Sequence, residues 1–323
     1  MQIKKFKCSL VIAAFNCELS IRQVVCEALS ALESSMFLYE YDVVIVDDGS
    51  TDKTWKVLNE LRREYKNIKL LKLSKNFGQQ SAMMAGFSVC NSDLVAYCDD
   101  DGQSPVNELA ILINEIINNN NSDMVWAKYT IPISFSFSGL GRYLNEMMLR
   151  IVFKKPKGLE FGNMWIAKRF VIDRLLFVTT PSLYLGGLML SITTNMSNIP
   201  FQKRERMYGE SNYTLYKLIN LFLNGLIFSS IAPLRIASVL GVLSAMFSFL
   251  IIGLVIFAKI IGISFPIGYA SIASLILLIG GIQLIMFGVI GEYIGRIHIE
   301  SKNRPLYFAE IIEKKEDENQ NKC

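Results

Sequence analysis

Short apolar runs alternate with amphipathic stretches of helical period over the first 128 residues. This alternation is typical of an open, mostly parallel sheet that is covered by helices on both faces. We therefore predict an α/β domain in which helices connect successive strands. The predicted strands are residues 8–14, 41–47, 68–73, 94–99 and 124–129.

Polar residues gather where three of these predicted strands end. Ligands of open parallel sheets bind beyond the carboxyl ends of the strands, so residues at these positions are candidates for function. Thr51 and Asp52 have an alternative role, as a cap for the helix predicted to begin at Lys53. The three clusters are Asn16 with Glu18, Asp47 through Asp52, and Asp99 through Gln103.

Two long uncharged runs near the C-terminus predict a transmembrane hairpin. Residues 236–258 and 260–291 contain no Asp, Glu, Lys or Arg, and only Lys259 separates them. Each run is long enough for the about 20 residues that cross the hydrocarbon core as a helix. A helix buried in a soluble core is the alternative, but such helices are seldom uncharged on every face. We expect the turn within residues 262–268, which include Pro266.

The distribution of basic residues predicts the orientation of this hairpin. Arg235 precedes the first span, several Lys and Arg follow the second, and the connecting turn has almost no charge. By the positive-inside tendency, the N-terminal domain and both termini face the cytoplasm. The N-terminal strand is interrupted too early to be a signal peptide. The expected location is a bacterial inner membrane, with multiple passes.

Two further stretches have the pattern of helices at a membrane surface. Residues 144–153 place Met147, Met148 and Ile151 among basic residues, and residues 213–231 run directly into the first predicted span. An amphipathic basic helix suits a lipid surface. For residues 144–153, a buried helix with a charged outer face remains the alternative.

The acidic triplet at the end of the fourth predicted strand is a candidate metal site. Asp99 and Asp101 are separated by one residue, and hard oxygen ligands suit Mg²⁺ or Mn²⁺ bridging a diphosphate. Such a cation neutralises charge on a departing nucleoside diphosphate. Acidic turns without a metal are also common, so the triplet alone does not establish the site.

Several other classes of function fit the sequence poorly. The single histidine, His298, follows the second predicted span, far from the predicted sheet, which disfavours a Ser-His-Asp hydrolase. The sequence contains no phosphate-binding G-x-x-x-x-G-K-[ST] motif. Its six cysteines form no C-x-x-C pair, and the net charge of +4 is spread along the chain. We therefore expect membrane lipid and no nucleic acid as a partner.

At this point the sequence resembles the polyprenyl-phosphate glycosyltransferases of glycosyltransferase family 2, which include dolichyl-phosphate and undecaprenyl-phosphate sugar transferases. The resemblance covers nearly the whole chain, including the predicted hairpin after Pro233-Leu234-Arg235. The matching motifs are V11-I-A-A-F-N16, V46-D-D-G-S-T-D52, N76-F-G78, D99-D-D-G-Q103 with Pro105, and R206-M-Y-G-E-S-N-Y213.

The resemblance implies roles for individual residues. Asp99, Asp101 and Arg206 would be catalytic, with Asp101 and Asp99 holding Mg²⁺ or Mn²⁺. A UDP- or GDP-sugar would be the donor, and a polyprenyl phosphate the acceptor. Donor-binding residues would be Ala13, Phe15, Asn16, Glu18, Asp47, Asp48, Asn76, Gly78, Asp99, Asp100 and Gln103. Acceptor-phosphate-binding residues would be Asn163, Arg206, Ser211 and Tyr213.

The chain departs from the family pattern at two positions. Ala13 replaces the usual Pro, and Asn163 stands where the family has an Asp that could organise the acceptor or act as a base. An Asn cannot accept a proton. A phosphate monoester is already mostly dianionic at neutral pH, so we expect catalysis by positioning and metal electrostatics, with inversion at the sugar carbon. On this hypothesis Asn163→Asp changes turnover only modestly.

The sequence thus predicts a GT-A type, Rossmann-like α/β domain over residues 1–212. An amphipathic juxtamembrane helix (213–233), a hairpin (234–295, with spans near 234–259 and 267–293) and a charged cytoplasmic tail (296–323) follow. The Gln-x-x-Arg-Trp signature of processive synthases is missing, which favours single transfer. Transfer to another lipid or lipid-linked glycan, and a non-catalytic membrane scaffold, remain alternatives. By the resemblance we also expect a homo-oligomer.

Overall fold

The computed structural model defines two compact units, one of Met1–Leu215 with Arg304–Cys323 and one of Tyr216–Asn303. The structure describes residues 4–119, 121–129, 149, 150, 153, 155–178, 185–202, 204, 234, 239, 243, 246, 250, 253, 257, 260–262, 268–302 and 305–313.

The first unit is built on an eight-stranded sheet in the described residues, with strand order β7-β5-β6-β4-β1-β2-β3-β8. The central strands β4, β1, β2 and β3 are parallel to one another, whereas β6 and β8 pair antiparallel with their neighbours. The strands are β1 (Phe6–Ala14), β2 (Leu38–Asp47), β3 (Ile68–Leu73), β4 (Leu94–Asp99), β5 (Met124–Tyr129), β6 (Met164–Lys168), β7 (Met196–Phe201) and β8 (Ala309–Glu313).

Helices connect the strands of this unit, as the alternating pattern predicted. All five predicted strands are confirmed, with β1 and β2 beginning two and three residues earlier than expected. The helices are α1 (Ile21–Glu33), α2 (Thr54–Glu64), α3 (Gln79–Val89), α4 (Leu109–Asn118), α5 (Arg169–Leu176) and α6 (Leu185–Ile192).

The central strands carry the core because they are buried on both faces. Val43, Val44, Ile45 and Val46 of β2 are fully buried, and successive side chains alternate between two apolar clusters on opposite sides of the sheet. Continuous apolar runs are typical of strands that helices cover on both sides. This burial fixes the strand register, since a slip by one residue would exchange the two faces.

The C-terminal part of the chain contains one long described helix and the last strand. Helix α7 (Tyr269–Ser301) belongs to the second unit, and β8 follows as an edge strand of the first unit's sheet. Among the described residues, no helix has the length and hydropathy needed to cross a membrane. The amphipathic helix predicted at 213–231 lies outside the described residues, as do most of residues 144–153.

Candidate functional site

The strand register brings the three predicted polar clusters to one edge of the sheet. Ala13 of β1 lies opposite Asp99 of β4, and Ala14 lies opposite Asp47 of β2. The carboxyl ends of these three parallel strands are therefore neighbours, with the β1 end in the middle. Ala13 is buried and Phe15, two residues further along the chain, is exposed.

Hydrogen bonds join the loop after β1 to the loop after β2. The Asn16 Oδ1 accepts from the backbone N–H of Thr51 at 2.8 Å, and the Asn16 N–H donates to the Ser50 Oγ at 3.0 Å. Glu18 Oε2 accepts from the N–H of Lys53 at 2.9 Å. Asn16 has a φ of 50°, a left-handed conformation that Asn tolerates better than most residues. In this structure Asn16 and Glu18 hold two loops of the site together.

Asp52 lies directly before Lys53, the N-cap residue of α2, and its side chain binds the start of the helix, close to the capping role that the sequence allowed for it. Its Oδ1 accepts from the N–H of Thr54, the first residue of α2, at 2.9 Å. Partial burial acts to raise the pKa of the Asp52 carboxyl, but hydrogen bonds from Thr54 and from the N–H of Glu18 outweigh it, so the pKa is lowered. The ionised carboxylate is thus the form that stabilises the helix start.

Asp47 and Asp48 are both buried and serve as acceptors for backbone groups. The N–H of Ser50 donates to Asp47 Oδ1 at 3.1 Å. The two oxygens of Asp48 accept from the N–H groups of Phe77 and Gly78, at 2.8 and 2.9 Å. Burial raises the pKa of each carboxyl, and these hydrogen bonds act in the opposite direction. Asp48 is 2% exposed, so here it positions the Phe77–Gly78 backbone, and its contact with a nucleoside remains a prediction.

Gly49 allows the β2 turn to lie directly against the loop after β3. Its φ is +69°, and a Cβ built on it would lie 2.5 Å from the backbone carbon of Lys75. No side chain fits at this distance, so only glycine permits the contact. The approach places Asn76 and Gly78 beside the Asp47–Asp48 turn.

Asp99 lies at the centre of a hydrogen-bonded group. Its Oδ1 accepts from the Tyr97 hydroxyl at 2.8 Å and from Gln79 Nε2 at 2.7 Å. Burial, with the negative charges of Asp101 and Asp100, raises the pKa of Asp99 to about 7, although hydrogen bonds from Tyr97 and Asn163 act to lower it. Asn163 directly precedes β6, whose Met164 pairs with Cys98, so the register also brings Asn163 to Asp99.

The other two members of the acidic triplet have different partners. Asp100 Oδ2 accepts from the N–H of Phe15 at 3.0 Å, which ties the triplet to the end of β1. Asp101 Oδ1 accepts from the N–H of Gln103 at 3.0 Å. Asp99 and Asp101 thus accept hydrogen bonds from groups outside the β1 loop. Within the described residues, no group of three or more His, Cys, Asp or Glu side chains is arranged to hold a metal ion.

Sequence reasoning missed Gln79 and Tyr97, which hold Asp99. Tyr97 precedes Asp99 by two residues on β4, so strand periodicity places both side chains on one face. Tyr97 also stacks on Trp165, with ring centroids 5.8 Å apart. Gln79 is the first residue of α3 and directly follows the Asn76-Phe77-Gly78 motif. Its position next to that motif is the sequence feature that could have identified Gln79 as a site residue.

The predicted acceptor residues Arg206, Ser211 and Tyr213 lie outside the described residues. Arg204, which no sequence motif marked, is described. Its N–H donates to the carbonyl oxygen of Gln103 at 3.1 Å, and its guanidinium donates to Glu27 at 2.7 Å and to Asn107 at 2.5 Å. The chain that follows β7 is therefore anchored beside the acidic triplet.

Comparison with known proteins identifies two matching regions and several relatives. Residues 9–176 match the family model described as glycosyl transferase family 2, and residues 232–297 match the GtrB C-terminal hairpin. The undecaprenyl-phosphate 4-deoxy-4-formamido-L-arabinose transferase of Photorhabdus laumondii is 30% identical over 96% of this chain and 95% of its own. The bactoprenol glucosyl transferase of Shigella phage SfV is 33% identical over 94% of this chain and 97% of its own.

Solved structures of low identity share the fold. The glucosyl-3-phosphoglycerate synthase of Mycobacterium tuberculosis, solved with Mn²⁺, UDP and phosphoglyceric acid, aligns with a TM-score of 0.51 at 15% identity. The alignment covers 68% of this chain and 75% of that one. The mannosyl-3-phosphoglycerate synthase of Rubrobacter xylanophilus gives a TM-score of 0.51 at 16% identity, covering 71% and 74%.

Proposed function

Because the chain belongs to glycosyl transferase family 2 and is a glycosyltransferase, we propose that it transfers a sugar from a nucleotide-sugar to undecaprenyl phosphate. The observation that carries this proposal is the meeting of the Asp47–Asp48 turn, the Asn16 loop and the acidic triplet at one sheet edge. Relatives named as undecaprenyl-phosphate and bactoprenol transferases, matched over nearly their full length, support the acceptor. The lipid-linked sugar would serve modification of a cell-envelope glycan or lipid.

The carboxylate groups of the acidic triplet are suitable ligands for a divalent cation. Asp100 and Asp101 act to raise the pKa of Asp99, which shows that negative charge accumulates here. A hard cation relieves such crowding and prefers carboxylate oxygens. Asp101 and Asp99 would hold Mg²⁺ or Mn²⁺, which would neutralise charge on the departing nucleoside diphosphate. The Mn²⁺ and UDP in the Mycobacterium tuberculosis relative of like fold support this assignment.

The anchored chain after β7 supports a place for the acceptor phosphate. Arg204 is held to Gln103, two residues beyond Asp101. One residue separates Arg204 from Arg206, and two residues of chain span at most about 7 Å. Arg206, with Ser211 and Tyr213, would bind the phosphate, since a guanidinium meets two phosphate oxygens at once.

The acceptor itself would be the nucleophile. Its phosphate is mostly dianionic at neutral pH, so no side chain needs to remove a proton. The register brings Asn163 to Asp99, and its amide would orient that carboxylate while the acceptor attacks the sugar carbon in line, with inversion. An amide side chain can orient a carboxylate without accepting a proton. This agrees with Asn163 at the position where the family pattern has an Asp.

The proposal includes a membrane hairpin at the C-terminus. The match of residues 232–297 to a C-terminal hairpin model supports it, as do the uncharged runs of the sequence. Both ends of the hairpin would face the cytoplasm of a bacterial inner membrane, which brings the domain to the phosphate of a lipid acceptor.

The test is product formation from a panel of radiolabelled UDP- and GDP-sugars with undecaprenyl phosphate as the single acceptor. We expect one donor to give a lipid-linked sugar with Mg²⁺ or Mn²⁺, no product with EDTA, and at least a 100-fold loss in Asp101→Asn, since removing one electrostatic group typically costs about that much. Glu33→Gln, at the exposed end of α1, serves as a control. Parallel reactions supply diacylglycerol or a lipid-linked glycan in place of undecaprenyl phosphate. Product only in those reactions would contradict the acceptor, and no product with any of the three acceptors would favour a scaffold.

A further inference from the structure

The C-terminal strand and the residues before it contact the part of the catalytic domain that holds Asp48. Strand β8 pairs antiparallel with β3, and Lys72 forms an ion pair with Glu310 at 3.3 Å. Directly before β8, the carbonyl oxygen of Phe308 accepts from the N–H of Ser74 at 3.0 Å. The Tyr307 hydroxyl donates to Ser88 Oγ of α3 at 2.9 Å. We call residues 74–78 the Asn76 loop. The contacts at Lys72 and Ser74 lie at the N-terminal side of this loop, and the contact at Ser88 lies beyond its C-terminal side.

Phe308 also contacts the Asn76 loop itself. Its ring lies 6.1 Å from that of Phe77, centroid to centroid, at an interplanar angle of 48°. The Lys75 ammonium lies 5.2 Å from the centre of the same Phe77 ring. Aromatic and cation-π contacts at these distances are attractive. Phe308 therefore contacts the side chain of the residue whose N–H donates to Asp48.

The Asn76 loop connects two carboxylates of the proposed donor site. Its Phe77 and Gly78 amides hold both oxygens of Asp48, and Gln79, the next residue, donates to Asp99. The loop also meets Gly49 at a distance that leaves no room for a side chain. A displacement of the loop would therefore change the positions of Asp48 and Asp99 together.

We infer that Phe308 is a positioning residue for the nucleoside diphosphate part of the donor, acting through Phe77 on the Asn76 loop. The inference rests on the proposed function for its link to the donor. It gives the segment after the hairpin a part in donor binding, although it follows the glycosyltransferase match by more than 120 residues. Replacing Phe308 loosens the loop and weakens nucleotide binding.

The experiment uses the full-length chain in detergent and the variants Phe308→Ala, Phe308→Tyr, Glu310→Gln and Phe177→Ala. Phe177 is 85% exposed and Phe308 is 58% exposed, so Phe177→Ala controls for loss of a surface aromatic. Glu310→Gln removes the ion pair of the same strand without touching the loop. Binding of UDP and of GDP, each with Mg²⁺, is measured by calorimetry, and hydrogen exchange of the peptide covering residues 74–80 is followed by mass spectrometry.

We expect Phe308→Ala to weaken nucleotide binding about threefold to tenfold, the range expected from loss of one aromatic pair. Exchange at Phe77 and Gly78 should become faster, and the donor KM should rise by a larger factor than the acceptor KM. Phe308→Tyr keeps the ring and should behave as wild type, as should the two controls. Unchanged exchange, or faster exchange with unchanged nucleotide affinity, would overturn the inference. If the wild-type protein bound neither UDP nor GDP, the proposed donor site would be wrong. Faster exchange in Phe308→Ala would in that case still support the contact of Phe308 with the loop.

Discussion

At the residue scale, Asp48 offers a direct test of how the site is built. Its two oxygens each accept one backbone N–H in a buried position. In Asp48→Asn, one oxygen is replaced by an amide group that faces another donor, so one buried N–H loses its partner. We expect the free energy of unfolding to fall by about 1–3 kcal/mol. Urea denaturation followed by tryptophan fluorescence measures this, because Trp55, Trp126 and Trp165 all lie in the catalytic domain.

Asp47 provides the matched control for that substitution. Its Oδ1 accepts from Ser50, and its buried Oδ2 has no hydrogen-bond partner among the described residues. Asp47→Asn keeps the accepting oxygen, so its effect on the free energy of unfolding should be the smaller of the two. An equal loss in both variants would mean that the hydrogen bonds to the Asn76 loop are not what Asp48 supplies.

Substitutions at Gly49 and Gly78 distinguish two effects on the free energy of unfolding, that of backbone conformation and that of close packing. Both have positive φ values, +69° and +91°, but a Cβ on Gly78 would have no atom within 4 Å. Gly78→Ala should therefore lower the free energy of unfolding by about 1–3 kcal/mol from backbone strain alone. Gly49→Ala adds overlap with the Lys75 backbone and should cost about 1–3 kcal/mol more. The same denaturation assay compares the two, and equal losses would argue against the close approach.

The sequence predicted where the site residues gather but not what each one contacts. Strand ends and acidic turns are local patterns, so the sequence alone places Asp47, Asp48 and Asp99 at one edge of the sheet. The partners of Asp48 lie 29 and 30 residues away, and Gln79 lies 20 residues from Asp99. Such pairs depend on strand order and register, which the pattern of one segment does not contain.

At the scale of elements, the start of α2 depends on an ionised cap. The pKa of Asp52 is lowered in the folded chain, so its contribution to stability is present above its ordinary value of 3.8 and is lost as the pH falls through the folded value. Asn can still accept a hydrogen bond at this position, so the substitution mainly removes the negative charge at the helix start. At pH 7 we expect Asp52→Asn to lower the free energy of unfolding by about 0.3–1 kcal/mol. The difference from wild type should shrink as the pH falls below 3.8 towards the lowered pKa of the folded wild-type carboxyl.

Denaturation of both proteins between pH 7 and pH 3 measures this convergence. Glu18→Gln is a useful companion, because the Glu18 Oε2 accepts from the N–H of Lys53, the residue directly before α2. A difference between Asp52→Asn and wild type that stayed constant down to pH 3 would show that charge at this position does not stabilise α2.

The elements that the pattern failed to predict are the short strands outside the βα repeat. Strand β6 follows a long segment rich in Ser, Phe and Gly, and β8 comes after the uncharged runs. Each forms by antiparallel pairing with a distant partner, β4 and β3 respectively. The residues of β8, AEIIE, are few and include Ala and two Glu, which are depleted in strands, so their strand conformation depends on the edge that β3 presents. The charged tail expected at 296–323 therefore contains a strand of the catalytic domain.

At the scale of the whole molecule, the proposed hairpin predicts which parts of the chain are accessible from each side of the membrane. A cysteine introduced by Ser264→Cys lies in the predicted turn, whereas Cys323 lies at the end of the tail. In spheroplasts, a membrane-impermeant maleimide should label Ser264→Cys from outside, and should label Cys323 only after lysis. Ser264→Cys is introduced into a chain that carries Cys323→Ser, and Cys323→Ser alone gives the background labelling for both measurements.

The buried thiols of the catalytic domain make this labelling interpretable. Burial raises the pKa of Cys8, Cys17, Cys90 and Cys98, that of Cys90 to about 12, and the reactive form is the thiolate. These four should stay unlabelled in the folded protein even after lysis, which leaves the half-buried Cys26 as the background among the described cysteines. Labelling of Cys323 from outside, or of Ser264→Cys only after lysis, would contradict the proposed orientation. The catalytic domain could not then meet a cytoplasmic nucleotide-sugar, so the same assay bears on the location and on the proposed donor.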